Sequence, residues 1–208
     1  MCDWPKLKLQ LAECRKCHDL GLAEPGAKPL FMKQTPVAVD VLFVAEAPNA
    51  PDTFDPKKGY LTIEADTDPS GRFFRELLDE HLQLPEERIA VTNSVLCLPK
   101  RNNDRYPVTG KTMRACTDNL RATIEALNPA IVAPLGSVAL QATGKVAPHG
   151  LTKMSDAVAN PLPWFGRILF PLYHTGMLAR NGPSGRKAPQ QREDWQALKR
   201  ALQAGATP

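Results

Sequence analysis

The chain has no apolar run approaching the ~18 residues that a membrane-spanning helix needs. Its opening residues, Met-Cys-Asp-Trp-Pro-Lys, lack the apolar core of a secretory signal. It carries no internal repeat, and neither sign of charge dominates: 26 Lys and Arg stand against 22 Asp and Glu, for a net charge of +4. So mild a balance is compatible with one phosphate-contacting face and equally with none. These absences predict a cytoplasmic protein whose thiols are reduced and free to ligate metal rather than paired as disulfides. The length of 208 residues, with 43% hydrophobic and 23% charged residues, fits one sizeable core, so residues 1–208 are expected to form a single domain.

What the sequence does have is proline and a spaced set of cysteines. Its 20 prolines gather in connections, among them Pro99, Pro107, Pro148, Pro161, Pro163, Pro183 and Pro189. Long, shaped loops on a rigid scaffold follow, and such loops are where sites tend to lie. Of the 5 cysteines, Cys2 lies near the chain start and is given no role. Cys14 and Cys17 form a Cys-x2-Cys pair, and Cys97 and Cys116 stand far downstream. Four thiolates so placed could hold a 4Fe–4S cluster or a structural zinc, and buried free cysteine is also common.

The hydrophobic pattern alternates between strand and helix. A short helix is predicted over 5–19. The apolar run Val39–Ala45 reads as a strand buried on both faces, followed by a helix from Pro69 and Ser70 through Leu84 with Phe73, Phe74, Leu77 and Leu78 inward. Further strands are expected at Arg88–Val95, Ala130–Leu135 and Arg167–Leu172, with helices over Lys111–Leu127, after Gly136-Ser137, and from about Gln190 to Ala204. The expected fold is α/β, a three-layer α/β/α sandwich around a short, mostly parallel four-stranded sheet. In such sheets ligands sit beyond the carboxyl ends of the strands. Those ends are Ala45-Glu46-Ala47-Pro48-Asn49, Thr92-Asn93, Leu135-Gly136-Ser137 and Tyr173-His174.

Four segments in register, FVAEAPN, VTNSVLCLPKRN, PLGSVAL and FPLYHTGMLARN, with the cysteines threaded between them, resemble the iron–sulfur uracil-DNA glycosylases across residues 10–203. The resemblance implies a base-excision repair hydrolase. Such an enzyme flips uracil, or a related deaminated base, out of DNA and hydrolyses its N-glycosidic bond to leave an abasic site. It also implies a 4Fe–4S cluster on Cys14, Cys17, Cys97 and Cys116, catalytic roles for Glu46 and His174, and a base-reading role for Asn93. Ala45 and Ala47 complete the first turn beside the base, and Leu178 and Arg180 would enter or contact the duplex. DNA containing the damaged base is then the partner, with no membrane, no obligate protein partner and a monomeric state expected.

The chain departs from the family pattern in three places. Ala45 and Asn49 replace the glycines of a Gly-Glu-x-Pro-Gly turn; Thr175-Gly176 replaces the Pro-Ser or Pro-Ala after the histidine; and the stretch after Pro48 lacks the family's stacking segment, leaving Tyr60 as the residue to stack on the base, with Phe54 behind it. Cys97 and Cys116 also stand farther apart than the family spacing.

Each residue has a plainer reading. His174 could cap a loop, Asn93 could be a turn residue, Glu46 could bond loop amides, and Met177-Leu178 could be core. Arg186, Lys187 and Arg192 could contact phosphates, as could Lys100, Arg101, Arg105 and Lys111. Action on another base lesion, or non-catalytic binding of nucleic acid by an iron–sulfur protein, remain the alternatives to uracil excision. No histidine occurs between Gly182 and Pro189, which speaks against a covalent product with the abasic sugar.

Overall fold

The computed structural model describes residues 4–32, 36, 38–48, 68–183 and 185–205. Five strands form one sheet in the order β2-β1-β3-β5-β4, where β1 is Val41–Ala45, β2 Ile89–Asn93, β3 Ile131–Pro134, β4 Leu162–Trp164 and β5 Arg167–Leu169. β1 runs parallel to β2 and β3, β3 runs parallel to β5, and β4 pairs antiparallel with β5. The sheet therefore has one strand more than the sequence pattern suggests. The addition is Leu162-Pro163-Trp164 at the edge, where a proline lacking an N–H is tolerated because one side of the strand needs no partner. The fourth expected strand is also shorter. After Leu169 the chain stays bonded to β3, Phe170 N–H to the Val132 carbonyl and Leu172 N–H to the Pro134 carbonyl at 2.9 Å each, with an isolated parallel bridge from Leu135 to Leu172.

Alternation along β1 shows why the chain builds three layers. Leu42 and Val44 face one apolar cluster, formed with Trp4 and Leu11 of α1 (Trp4–Ala12), Leu120 and Ile124 of α4 (Gly110–Leu127), and Leu140 of α5 (Ser137–Val146). Val41 and Phe43 face the other, with Phe73, Phe74 and Leu77 of α3 (Pro69–Leu77) and Trp195 and Leu198 of α8 (Ala188–Gly205). All four strand residues are fully buried, as a central parallel strand covered on both faces requires. Phe43 stacks on Trp195 with ring centroids 5.1 Å apart, and Phe74 meets both rings edge-on.

Local signals set the helix boundaries. Asp68 caps α3 by accepting from the Ser70 and Gly71 amides, with Pro69 in the first turn. The helix then widens into a π turn over Leu78–Leu82 and ends at Gln83 in a left-handed conformation. Thr109 caps α4, and Asn128 closes it, also left-handed. The predicted N-terminal helix is broken into α1 and α2 (Lys16–Asp19), so the Cys-x2-Cys pair lies on the break and the second short helix. Two further short helices, α6 (Met154–Ala157) and α7 (Met177–Asn181), lie in the connections. Among the described residues no helix is long and apolar enough to cross a membrane.

Candidate active site

Because β1, β2, β3 and β5 are parallel, their carboxyl ends share one edge of the sheet. The loops there enclose an open cavity of about 480 Å³. Its walls include Glu46 after β1, Gly136 and Ser137 after β3, Tyr173 and His174 after β5, and Leu178 of α7. Glu46 and His174, 128 positions apart in the sequence, thus face one space.

His174 is held from several directions. Its Nδ1 accepts the Gly176 amide N–H at 2.9 Å, so the neutral ring carries its proton on Nε2. Its carbonyl accepts from Gln191 Nε2 at 3.4 Å. Gly176 permits this approach: a Cβ there would lie 2.8 Å from Nδ1 and 3.3 Å from Ser70 Oγ. Gly136 has φ +88, a conformation that favours glycine, and a Cβ on it would lie in van der Waals contact with His174 Cβ at 3.4 Å. The buried Thr175 hydroxyl donates to the Ser70 carbonyl at 2.9 Å, tying the histidine turn to the start of α3. Burial holds the imidazole below its ordinary range, with Asp68 pulling weakly the other way. Protonating Nδ1 would also break the Gly176 bond, so both effects favour the neutral ring.

Glu46 is more loosely set. Its carbonyl accepts the Val95 amide at 3.2 Å, while its side chain makes no hydrogen bond among the described residues. The carboxyl reaches solvent, yet the protein atoms around its approach desolvate it enough to lift it above the ordinary carboxylate range. Ala47 is half-buried and supplies no second acid. Asn93 pairs in register with Ala45 at the end of β2 and is buried, but it is not part of the cavity wall. Tyr60, Phe54 and Asn49 lie outside the described residues.

α7 follows the histidine turn directly. Leu178 is 89% exposed and Met177 58%, so neither belongs to the core. Arg180 lies with its guanidinium 4.3 Å from the centre of the Phe73 ring. Two arginines expected to be open to phosphate are engaged within the protein. Arg186 makes a two-pronged pair with the buried Asp194, Nε to Oδ2 at 2.9 Å and Nη2 to Oδ1 at 2.6 Å, and Arg192 pairs with Glu76 and Glu80. Arg101 is likewise spanned by Asp104 at 2.9 Å.

Of the four cysteines, Cys17, Cys97 and Cys116 are buried and Cys14 is partly exposed. Cys14 lies at the α1–α2 break, Cys17 in α2, Cys97 in the segment after β2 and Cys116 in α4, and all are free thiols. An antiparallel bridge between Ala23 and Pro99 joins the first cysteine segment to the third. Asn119, one turn after Cys116 on the same helix, places Nδ2 3.4 Å from Cys14 Sγ and 3.8 Å from Cys116 Sγ. Burial, together with the neighbouring cysteines, pushes the Cys97 thiol up to about 12 and the Cys116 thiol up to about 11. Such a set stays protonated unless a cation shares it, and ligation reverses that preference. Among the described residues no group of three or more potential ligands stands ready around a single metal ion. A zinc draws its thiolates to about 2.3 Å from one point, whereas a multi-iron cluster spreads them over separate irons. As soft thiol donors, the four suit either a structural zinc or a 4Fe–4S cluster.

Sequence reasoning gave no role to Thr175 and Gly176, named only as a departure from the family pattern, nor to Asn119, Gln191 and Asp194. Gly176 and Asn119 had a signal: a glycine two residues beyond a strand-end histidine, and an amide one helical turn past a cysteine. Gln191 and Asp194 had none, because their partners lie in other elements.

The profile of the Uracil DNA glycosylase superfamily matches residues 32–199. A type-4 uracil-DNA glycosylase of Thermotoga maritima is 30% identical over 163 residues, covering 74% of this chain and 78% of the relative. One of Saccharolobus solfataricus is 26% identical over 206 residues, covering 94% and 86%, and one of Sulfurisphaera tokodaii 25% over 186 residues, covering 88% and 78%. The profile match spans more than half of the chain, and the chain belongs to the uracil-DNA glycosylase superfamily.

Proposed function

We propose that this protein is a monomeric uracil-DNA glycosylase of base-excision repair. The observation that carries the reading is the Gly176 amide on His174 Nδ1, which leaves Nε2–H as a fixed donor at the cavity wall. Uracil swings out of the stack, at a cost of a few kcal/mol, and enters the cavity. The bond between C1′ and the base nitrogen then breaks, and its electron pair passes to the uracil ring, where charge gathers on O2. A neutral donor already aimed at that oxygen stabilises the charge without reorganising. Glu46 orients the water whose oxygen adds to C1′, and its raised pKa suits it to take up the proton that the water releases.

Asn93 is assigned the pyrimidine edge although it lies outside the cavity wall, at the end of β2 beside Ala45, so the seated base must reach that strand end. An amide held there in one orientation, with its acceptor toward N3–H and its donor toward O4, matches uracil and is mismatched to cytosine. Ala45 and Ala47 keep the first turn small beside the base. Tyr60 supplies the stacking face, and Leu178 with Arg180 meets the DNA from which the base has left. Cys14, Cys17, Cys97 and Cys116 would hold a 4Fe–4S cluster. When bound, it supplies a crosslink joining the N-terminal segment, the segment after β2 and α4; the residues around the cavity perform the hydrolysis.

The test combines an iron count with an assay on single-stranded DNA carrying uracil, hypoxanthine or xanthine, followed by alkaline cleavage of abasic sites. The expected outcome is about four irons per chain and cleavage at uracil. Stoichiometric zinc would refute the cluster, cleavage only at a purine would refute the base assignment, and tight uracil-DNA binding without abasic product would make the protein a binding module.

A further inference from the structure

The segment that carries Leu178 is clamped although its tip is exposed. Within it, the Arg180 amide bonds the Gly176 carbonyl at 3.1 Å, Gly182 bonds Leu178 at 2.9 Å, and Gly185 bonds Gly182 at 3.0 Å. The Arg186 amide closes the loop onto the Ala179 carbonyl at 2.7 Å. Two glycines are sterically required. A Cβ on Gly182 would lie 2.6 Å from the Leu178 carbonyl oxygen, and one on Gly185 would collide with the Ala179 carbonyl. Neither obstacle is a flexible side chain that could step aside.

The loop is fastened to α8 by two buried residues. Asp194, with its side chain 4% exposed, grips the Arg186 guanidinium at two points. Gln191, 1% exposed, donates to the Arg186 carbonyl at 2.9 Å and to the His174 carbonyl at 3.4 Å. One helix therefore fixes both the histidine turn and the base of the protruding helix. Arg186 spends its charge and its fork on this clamp, not on a phosphate.

We infer that Asp194, through Arg186, and Gly185 are positioning residues that hold Leu178 in its protruding geometry before DNA arrives, and so favour uracil in duplex over uracil in single strands. This rests on the reading of α7 as the element that enters DNA. In a duplex the base must be unpaired and its gap filled, so a wedge already in place avoids ordering a loop at that moment. A single strand offers no pairing to break, and the clamp contributes little there.

The test uses the full-length, iron-loaded protein as Asp194→Asn and, separately, Gly185→Ala. Rates are measured on one uracil sequence in single-stranded and duplex form, alongside amide hydrogen exchange over residues 177–187. Each variant should lose about tenfold or more on duplex while staying within about twofold on the single strand, and exchange of the loop amides should quicken by about tenfold. Equal losses on both substrates, or an unchanged duplex rate with quickened exchange, would overturn the inference. Protected loop amides in both variants would show that the clamp does not order α7. A wild-type protein that cuts neither substrate would instead remove the glycosylase reading, and exchange alone would then decide whether Asp194 orders the loop.

Discussion

The turns after β5 and β1 face the same cavity under very different constraint. At the first, His174 has its ring nitrogen and its carbonyl each bonded by a neighbour, and Thr175 anchors the turn to α3. At the second, Glu46 is fixed only through its backbone. Desolvation moves both groups toward their neutral forms, lowering the histidine and raising the acid. The contrast separates two tasks. A donor aimed at developing charge gains from rigidity, whereas a carboxylate that receives a water must keep its lone pairs unclaimed until the water arrives.

Removing the rigid partner breaks the comparison most sharply. His174→Ala should lower the cleavage rate by about 10²–10³-fold, the usual cost of losing one preorganised donor, while the Kd for uracil-containing DNA changes far less. Equal losses in both would make the histidine a structural cap. Gly176→Ala tests the constraint itself, because the new methyl would overlap Nδ1 at 2.8 Å and force the ring away from its amide donor. A fall of about tenfold in rate is expected, with nitrogen chemical shifts showing loss of the single Nε2–H tautomer.

Glu46→Gln is the mildest change and should split activity from stability. The folded-state carboxyl titrates above its ordinary 4.5, so the native state binds this proton more tightly than the unfolded chain. Ionising it as pH rises through that window therefore costs stability. The glutamine variant should match the wild type in Tm at acid pH and exceed it slightly near neutrality, with a reduced kcat. A lower Tm at neutral pH would show that the carboxylate is stabilising where it stands.

Much of this site was legible because buried strands leave continuous apolar runs. VLFVA and IVAP announced β1 and β3, and the residues just past them were correctly placed at one edge. β4 escaped because Leu162-Pro163-Trp164 looks like loop punctuation, and only its place at the edge of the sheet makes that proline acceptable. The arginines show a different limit. The sequence shows that Arg186 and Arg192 are charged, but their acidic partners come from the interior face of α8 and from the α3 region, which only folding brings near. Leu178 was open to two readings in the sequence, duplex entry or core, and its 89% exposure in the fold excludes the second. The cysteine set was visible as four residues, while Asn119 between two of the sulfurs required the α1–α2 break to be packed against α4.

The neutral, fixed imidazole is the centre of the account, and the pH dependence of uracil release tests it most directly. Burial holds His174 below 6.5, so its neutral form persists as pH falls past that value; any stability linked to it is complete above 6.5 and is lost progressively as pH falls from there to the lowered pKa. The account predicts that the single-turnover rate on single-stranded uracil DNA holds steady from pH 8 to about 6.5 and declines only below. Protonation of Glu46 contributes to that limb as well, so His174→Ala should keep the Glu46 part of the decline and lose the rest. A rate that rises as the pH drops through 6.5 would mean that the charged imidazole is the active form, and would contradict the claim.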